Sequence, residues 1–178
     1  DTIDDRYKLI PINENMKPFK VAIIFSGLER SLANSSYNLR VDECKAAAYE
    51  LKGLANMEYG KFNDTRLRDV PREIFEEYKS YLPVNWYRRA LHFYDENERV
   101  MLGVQAWKDG DLDKFGKLIF ESGYSSIYNY ETGSEELRAL YEIMTNTDGI
   151  YGGRFSGAGF KGFCMALIDP EKEESIKE

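Results

Sequence analysis

The sequence predicts an α+β fold in which one mostly antiparallel sheet carries helices packed on one face. Strand-like segments lie near the start, helical segments fill the middle, and two more strand-like segments lie near the end. The chain has 178 residues, of which 43% are hydrophobic and 31% charged, and this is typical of one soluble globular domain. We therefore expect residues 1–178 to form a single domain.

Two strands are predicted at the start of the chain. Residues from Tyr7 to Ile12 alternate loosely between apolar and polar side chains. Residues from Phe19 to Phe25 form a continuous apolar run, which is typical of a strand that is covered on both faces. The mostly polar residues 13–18 between them indicate a turn or a short loop.

Apolar residues at spacings of three and four predict helices in the middle of the chain. The first helix spans about residues 41–55, and another short helix begins near Pro71. A long helix is expected over about residues 83–108, with an apolar stripe of alternating steps of four and three that runs from Trp86 to Trp107. Asn97 lies in this stripe, so we expect it to be buried with its amide hydrogen-bonded.

Helix caps predict where the last helices begin. Asp111 is expected to cap a helix whose apolar face begins at Leu112, and Ser134 to cap one that carries two glutamates in its first turn. Strands are predicted at 150–155 and 163–168, with a glycine-rich turn over 156–162 between them. Pro170 then begins a charged helix.

Composition and charge exclude several classes of function. A net charge of −7 argues against nucleic acid as the main partner, since phosphate binding needs a basic surface. No apolar run is long enough for a membrane span, and the acidic start is not a signal peptide, so a cytoplasmic protein is expected. Cys44 and Cys164 are then expected to be buried thiols rather than a disulfide. The one histidine makes a histidine-rich metal site or a catalytic triad improbable.

Residues 157–162 match the pattern G-x-G-x-x-G, but two familiar interpretations of this pattern fail. A dinucleotide site needs a helix after the loop and an acidic residue about 20 positions on, whereas here a strand-like run follows. A protein-kinase loop needs an H-R-D and a D-F-G segment, and the sequence has neither. The glycines free the backbone to face an anion, or they simply form a tight hairpin, and the pattern alone leaves both interpretations open.

Four ordered segments resemble the GHMP kinases, in the form of their galactokinase branch. Residues 151–164 resemble the third motif of the family. Upstream, residues 31–44 resemble its S-x-Y-x-x-R-x-x-x-C helix start, residues 89–100 its R-A-x-H…E-N-x-R-V helix, and residues 111–122 its G-D-x-x-x-F/M-G…E-S helix. Within the branch, residues 121–131 and 155–160 are more similar to galacturonokinase than to galactokinase.

The resemblance implies a fold, an activity and a missing partner. The fold is the C-terminal domain of these kinases, a variant of the ferredoxin-like fold. The activity is the transfer of the γ-phosphoryl group of ATP to the anomeric hydroxyl of a hexose or hexuronate, in a cleft between two lobes.

The family's N-terminal lobe supplies the phosphate loop, a sugar-binding segment and the catalytic carboxylate, and none of these motifs occurs in this sequence. We therefore expect a C-terminal lobe that also lacks the last part of that domain and is inactive alone. ATP and Mg²⁺ would belong to the complete enzyme, with neither bound tightly to this chain.

The resemblance also implies roles for five residues and none for a catalytic or metal-binding residue. Tyr37 matches the tyrosine that contacts the sugar, although it also has the simpler role of packing at the start of a helix. Gly157, Ala158, Gly159 and Phe160 match the third-motif loop, which lies beside the phosphates and shapes the cleft.

Two further residues and two further functions remain open. Lys161 is either a point charge for a phosphate or a solvated surface lysine, and His92 is expected to be structural. The alternative to a kinase fragment is a non-catalytic sugar-binding or regulatory module built on the same domain. A purely structural interaction domain is the third possibility.

Overall fold

The computed structural model describes residues 7–27, 37–157, 159 and 162–177. The helices and strands are β1 (Lys20–Phe25), α1 (Tyr37–Leu54), α2 (Arg72–Tyr78), α3 (Val84–Asp109), α4 (Leu112–Tyr128), α5 (Glu135–Asn146), β2 (Ile150–Phe155), β3 (Phe163–Ile168) and α6 (Glu173–Lys177). Within these residues no helix is both long and apolar enough to cross a membrane.

The sheet is antiparallel, as predicted. Its strand order is β1-β3-β2, so β3 lies in the centre and pairs with strands from both ends of the chain. The β1 ladder runs from the pair Lys20↔Ile168 to the pair Phe25↔Phe163, and an irregularity between Ile150 and Gly152 interrupts the β2 ladder. The predicted bounds of β2 and β3 are correct.

The helix caps also form as predicted. The N–H of Lys114 donates to Asp111 Oδ1 over 2.9 Å, and Ser134 Oγ accepts from the N–H of Leu137. Gly110 ends α3 in the left-handed conformation with φ 74°, which glycine adopts at little cost. Local sequence therefore sets where α4 and α5 begin.

Two apolar clusters form the core. The first lies between α1, α2 and α3 and includes Leu51, Phe75 and Tyr94. The second lies between α5 and the sheet and includes Leu137 and Met144. A helical half and a sheet half of the domain therefore each have their own core.

Both cysteines are free thiols, as expected. Cys164 is buried in the sheet cluster, and this burial raises its pKa to about 11. Cys44 packs against the helical cluster, and burial raises its pKa as well. Neither thiol is therefore present as a reactive thiolate near neutral pH.

Helix α4 packs backbone to backbone on β2 and so joins the two halves. A Cβ atom built on Gly152 would lie 2.3 Å from the carbonyl oxygen of Gly116 in α4. Only a residue without a side chain allows this approach. The other side of α4 lies against α3.

Three predictions about local structure are wrong, because the local pattern does not show which segments pack against each other. Residues 7–12 do not form a strand and pair with no strand among the described residues. Strand β1 is not covered on both faces, since Val21 and Ile23 are more than half exposed. Asn97 is exposed, because the buried face of α3 is rotated away from it and contains Arg89 and Ala90.

Replacing Gly152 by alanine tests the close contact of α4 with β2. We expect Gly152→Ala to lower the free energy of unfolding by about 1–3 kcal/mol, since backbone atoms must move apart. The matched control is Gly103→Ala in α3, where the new Cβ would lie 3.5 Å from the Phe115 ring, an ordinary contact. That substitution should raise stability by about 0.5–1 kcal/mol through helix propensity. Urea unfolding of both variants measures the difference, and equal stabilities would contradict this account of the interface.

Candidate functional site

Tyr37, the predicted sugar contact, is the first residue of α1 and is 48% exposed. Its side chain is therefore accessible to a ligand rather than fully used for packing. Near it lies Tyr130, whose hydroxyl accepts a weak hydrogen bond from the Cys44 thiol over 3.9 Å. Burial raises the pKa of Tyr130, and the neighbouring Cys44 and Tyr37 add to this effect. Tyr130 is thus a neutral phenol beside the start of α1.

A buried set of charges lies behind the start of α1, and we call it the Arg89 network. Arg89 of α3 is fully buried, and its Nε donates to Glu43 Oε2 and its Nη2 to Glu131 Oε2, each over 2.6 Å. Its Nη1 donates to the carbonyl oxygen of Asn129. Arg40 donates to the same Glu43 oxygen over 2.9 Å. One guanidinium therefore connects α1, α3 and the segment after α4.

The Arg89 network also holds Glu131 in an uncommon backbone conformation. Its φ is 55°, in the left-handed region that costs a non-glycine residue about 1–2 kcal/mol. The hydrogen bond from Arg89 lowers the pKa of this carboxyl group, although partial desolvation acts in the opposite direction. Ionised Glu131 is thus the form that the network selects.

Residues 129–134, which we call the bridge segment, connect the Arg89 network to the glycine loop. The N–H of Ser134 donates to the carbonyl oxygen of Gly159 over 2.9 Å. The hydroxyl of Thr132 donates to Ser126 O in the last turn of α4 over 3.0 Å. Gly133 has φ 92°, and a Cβ there would lie 3.2 Å from the Phe155 ring. The bridge segment is therefore fixed at both ends.

The described part of the glycine loop needs its glycines. Gly157 and Gly159 have φ angles of 74° and 76°, and a Cβ on Gly159 would lie 2.4 Å from the Phe155 ring. At the end of the loop, Gly162 has φ 115°, and its carbonyl oxygen accepts from the N–H of Ser26 at the end of β1. The loop is thus held from two directions, which is more constraint than a plain hairpin requires.

Three residues of this loop lie outside the described part of the chain. They are Ala158, Phe160 and Lys161, so their predicted roles stay predictions. Of the predicted site residues, Tyr37, Gly157 and Gly159 are described. The described contacts connect them through the bridge segment.

A second polar cluster, the Arg154 corner, lies where α3, α4 and β2 meet. Arg154 of β2 donates to Ser122 Oγ and, over 3.2 Å, to Ser126 Oγ. Ser122 donates to Glu96 Oε2 over 2.7 Å, and Arg99 Nε donates to the other oxygen of that carboxylate over 2.7 Å. Burial works to raise the pKa of Glu96, but these hydrogen bonds outweigh it and lower the pKa.

The chemical groups of the candidate site are of two kinds, accessible binding groups and buried charges. No three of the described histidine, cysteine, aspartate or glutamate side chains are grouped so as to hold a metal ion. The site offers an accessible tyrosine and a constrained glycine backbone, with buried charges that position them. This arrangement suits a wall against which a ligand is placed.

Sequence reasoning missed the residues of the Arg89 network. Arg40 and Arg89 lie within the motifs that carried the family resemblance, yet neither received a role. The position of Arg89 in the sequence could have indicated its burial, because it precedes Ala90 on the buried face of a long helix. A charged residue at a core position has to be paired.

Comparison with known proteins gives consistent matches in sequence and structure. Residues 104–178 match the family described as GHMP kinases C terminal. A galacturonokinase from Arabidopsis thaliana is 44% identical over 170 residues, covering 95% of this chain and 39% of its own length. A galactokinase from Ligilactobacillus salivarius is 33% identical over 180 residues, covering 100% of this chain and 43% of its own length.

A solved structure agrees with these matches. The crystal structure of Lactococcus lactis galactokinase complexed with galactose has a TM-score of 0.80 and 26% identity, covering 96% of this chain and 42% of that one. The chain therefore spans about two fifths of the length of the curated relatives that it matches.

Removing the Arg89 side chain tests the central role of its network. We expect Arg89→Met to lower the free energy of unfolding by about 3–5 kcal/mol, because the buried carboxylate of Glu43 is left with Arg40 alone and the carbonyl oxygen of Asn129 loses its donor. The matched control is Arg72→Met in α2. This substitution removes partly exposed ion pairs to Asp95 and Glu98 of α3, the helix that also carries Arg89, and should cost about 0–1 kcal/mol. In the milder Arg89→Lys variant, the amide NMR signals of Tyr37 and Gly159 should shift together. Unchanged signals at both positions would show that the network does not connect them.

The half-buried His92 predicts a specific pH dependence. Burial lowers the pKa of His92 from 6.5 to about 4, and its Nδ1 lies 2.9 Å from Ser125 Oγ. In the unfolded chain His92 is protonated below about pH 6.5, whereas in the folded chain it stays neutral down to about pH 4. Protonation therefore favours the unfolded chain, and the free energy of unfolding falls as the pH drops through this range. His92→Gln should remove about 2 kcal/mol of the loss between pH 7 and pH 5. Unfolding curves at these two pH values measure it, and identical losses in both proteins would contradict the assignment.

Proposed function

Since the chain is homologous to the C-terminal part of galactokinases and of a galacturonokinase, we propose that it is the C-terminal portion of an ATP-dependent sugar 1-kinase. The sequence resemblance to GHMP kinases agrees with this origin. In the proposed reaction, the anomeric hydroxyl oxygen bonds to the γ-phosphorus of ATP, the bond to the bridging oxygen breaks, and ADP leaves. The hydroxyl proton passes to a base on the other lobe.

The observation that carries this proposal is the match along nearly the whole chain. A relative at 44% identity over 170 residues has the name galacturonokinase, and a solved galactokinase with bound galactose has the same fold at a TM-score of 0.80. A fold alone supports many functions. Here the matches include the segments that hold Tyr37 and the glycine loop.

The proposed division of labour follows from the groups that the chain provides. Tyr37 would place its ring or hydroxyl against the sugar, and the loop that includes Gly157 and Gly159 would line the cleft beside the phosphates. MgATP would be held chiefly by the N-terminal lobe, to which the family resemblance assigns the phosphate loop. The chain would then position substrates without supplying the reacting groups.

Galacturonate is the substrate we favour over galactose. The identity to the galacturonokinase is 44%, compared with 33% for the galactokinase from Ligilactobacillus salivarius. The carboxylate of a uronic acid needs a cation in the complete site.

Reconstitution tests the proposed activity. The chain mixed with the N-terminal part of the Arabidopsis thaliana galacturonokinase should release ADP in the presence of galacturonate and more slowly with galactose. A folded mixture without sugar-dependent release would contradict the proposal. If the chain alone binds either sugar more tightly than about 100 μM in calorimetry, a non-catalytic sugar-binding module becomes the better description.

Tyr37→Phe tests the proposed sugar contact in this mixture. Loss of one hydrogen bond of about 1 kcal/mol should raise KM for the sugar about fivefold, with KM for ATP unchanged. Tyr81→Phe is the control, because Tyr81 is also well exposed but lies in the turn before α3. If both substitutions change KM for the sugar equally, Tyr37 does not contact the sugar.

A further inference from the structure

A cavity of about 260 Å³ lies along the side of α1, and we call it the α1 pocket. It is formed by α1, residues 65–68, α3 and the bridge segment. The lining residues outside 65–68 are Val41, Cys44, Lys45, Phe93 and Tyr130. The proposed function gives no role to any of them, and the Arg154 corner contributes none. The α1 pocket is therefore a separate feature of the domain.

The interior of the α1 pocket is mostly apolar. Val41, Leu67 and Phe93 line it, and Leu67 and Phe93 also belong to the packing of the helical core. Cys44 adds a neutral thiol, because burial raises its pKa. A hexose has hydroxyl groups on most of its carbons, and these would find few partners here. The pocket instead suits a ring or an alkyl chain.

The charged residues of the α1 pocket are basic. Lys45, Arg66 and Arg68 line it, whereas none of its described lining residues carries a carboxylate. The whole chain has a net charge of −7, so an exclusively basic lining is not what its composition favours. Charge complementarity therefore points to an anionic occupant.

Two of these cations make no hydrogen bond within the described part of the chain. The side chain of Lys45 is only 18% exposed, and the carboxylate near its ammonium group is that of Asp42, at 3.9 Å between Nζ and Oδ1. This distance is too long for a hydrogen bond. Arg68 has neither a hydrogen bond nor an ion pair with any described residue. Arg66, by contrast, donates to two carbonyl oxygens of the residues before it. Lys45 and Arg68 are thus the cations that remain for a ligand.

We propose that the α1 pocket binds a small aromatic carboxylate, with its ring beside Phe93 and its carboxylate on Lys45 and Arg68. The cavity has the volume of about nine liquid waters, which is the room that a phenyl ring with a short acid chain needs. A lysine and an arginine together match a carboxylate, since both donate charge-assisted hydrogen bonds to its oxygens. This inference goes beyond the proposed function and does not depend on kinase activity.

The α1 pocket borders both parts of the candidate site. Tyr37 lies one helical turn before Val41 on the same face of α1. Tyr130 belongs to the bridge segment, in which the N–H of Ser134 holds Gly159. An occupant in contact with α1 and Tyr130 should therefore change the environment of Tyr37 and Gly159.

Inorganic phosphate and galacturonate fit the α1 pocket less well. Phosphate leaves the apolar interior empty, and galacturonate brings its hydroxyl groups into it. Both therefore serve as test ligands that share the negative charge but lack the apolar ring.

Calorimetry of the chain with 3-phenylpropionate tests the site. We expect a Kd below about 1 mM for this acid, and binding about tenfold weaker for 3-phenylpropanamide, which has the same shape without the charge. Lys45→Met and Arg68→Met should each raise the Kd of the acid about fivefold, because each removes one charged donor. Lys52→Met is the matched control, since Lys52 lies on the same helix but outside the pocket lining. It should leave the Kd unchanged, and circular dichroism confirms that every variant is folded.

NMR of the same titration tests the connection to the candidate site. The amide signals of Lys45 and Tyr130 should shift as the acid binds, and those of Tyr37 and Gly159 should shift with the same Kd. Shifts at Lys45 and Tyr130 alone would contradict the connection and leave the binding site intact.

Several outcomes would overturn the site itself. These are an acid that does not bind, an amide that binds equally well, and a Kd that Lys45→Met and Arg68→Met leave unchanged in folded protein. Phosphate or galacturonate that binds as tightly as the acid would show that the ring contributes nothing. Displacement of the acid by the N-terminal part of the Arabidopsis thaliana galacturonokinase would show that the pocket is covered in the complete enzyme.

Discussion

The arrangement of the domain depends on one guanidinium group that has no contact with solvent. An unpaired charge in such a position costs several kcal/mol, so Arg89 constrains every element that supplies it with an acceptor. Its donors lie in one plane and at fixed angles, and they reach Glu43, Asn129 and Glu131 in different directions. Helices α1 and α3 and the bridge segment are therefore held in one relative position. The glycine loop is attached to this frame through the N–H of Ser134.

Helix α4 joins the two halves of the domain because the side that meets β2 carries small and polar residues. Gly116 allows β2 to approach its backbone, and Gly123 leaves room for Tyr141. Ser122 and Ser126 accept hydrogen bonds from Arg154 of β2. Larger apolar residues on this face would bury more surface, but they would separate the strand from the helix. The geometry of the Arg154 corner follows from this choice of small residues.

Much of the local structure was predictable from sequence, and the errors have a common cause. The bounds of β2 and β3 and the caps at Asp111 and Ser134 follow from neighbouring residues, and these predictions are confirmed. The burial of β1 and the interior position of Arg89 depend on which other segments are present. An apolar run such as 19–25 shows that a strand needs cover but not which polypeptide provides it. In the candidate site, Tyr37 and the glycines could be assigned roles from their motifs. Arg40 and Arg89 lie in motifs too, but their burial depends on tertiary packing that the sequence pattern does not show.

The backbone contact between Ser134 and Gly159 has an evolutionary consequence. The donor that holds the glycine loop is the main-chain N–H of Ser134, so a change of side chain at residue 134 does not remove it. Loss of the hydroxyl would remove only the cap of α5. Proline is the exception. The φ of −63° at Ser134 would accept its ring, yet proline has no N–H to donate. Proline is thus the one residue that would release the loop, whereas replacing serine by another residue would weaken only the start of α5.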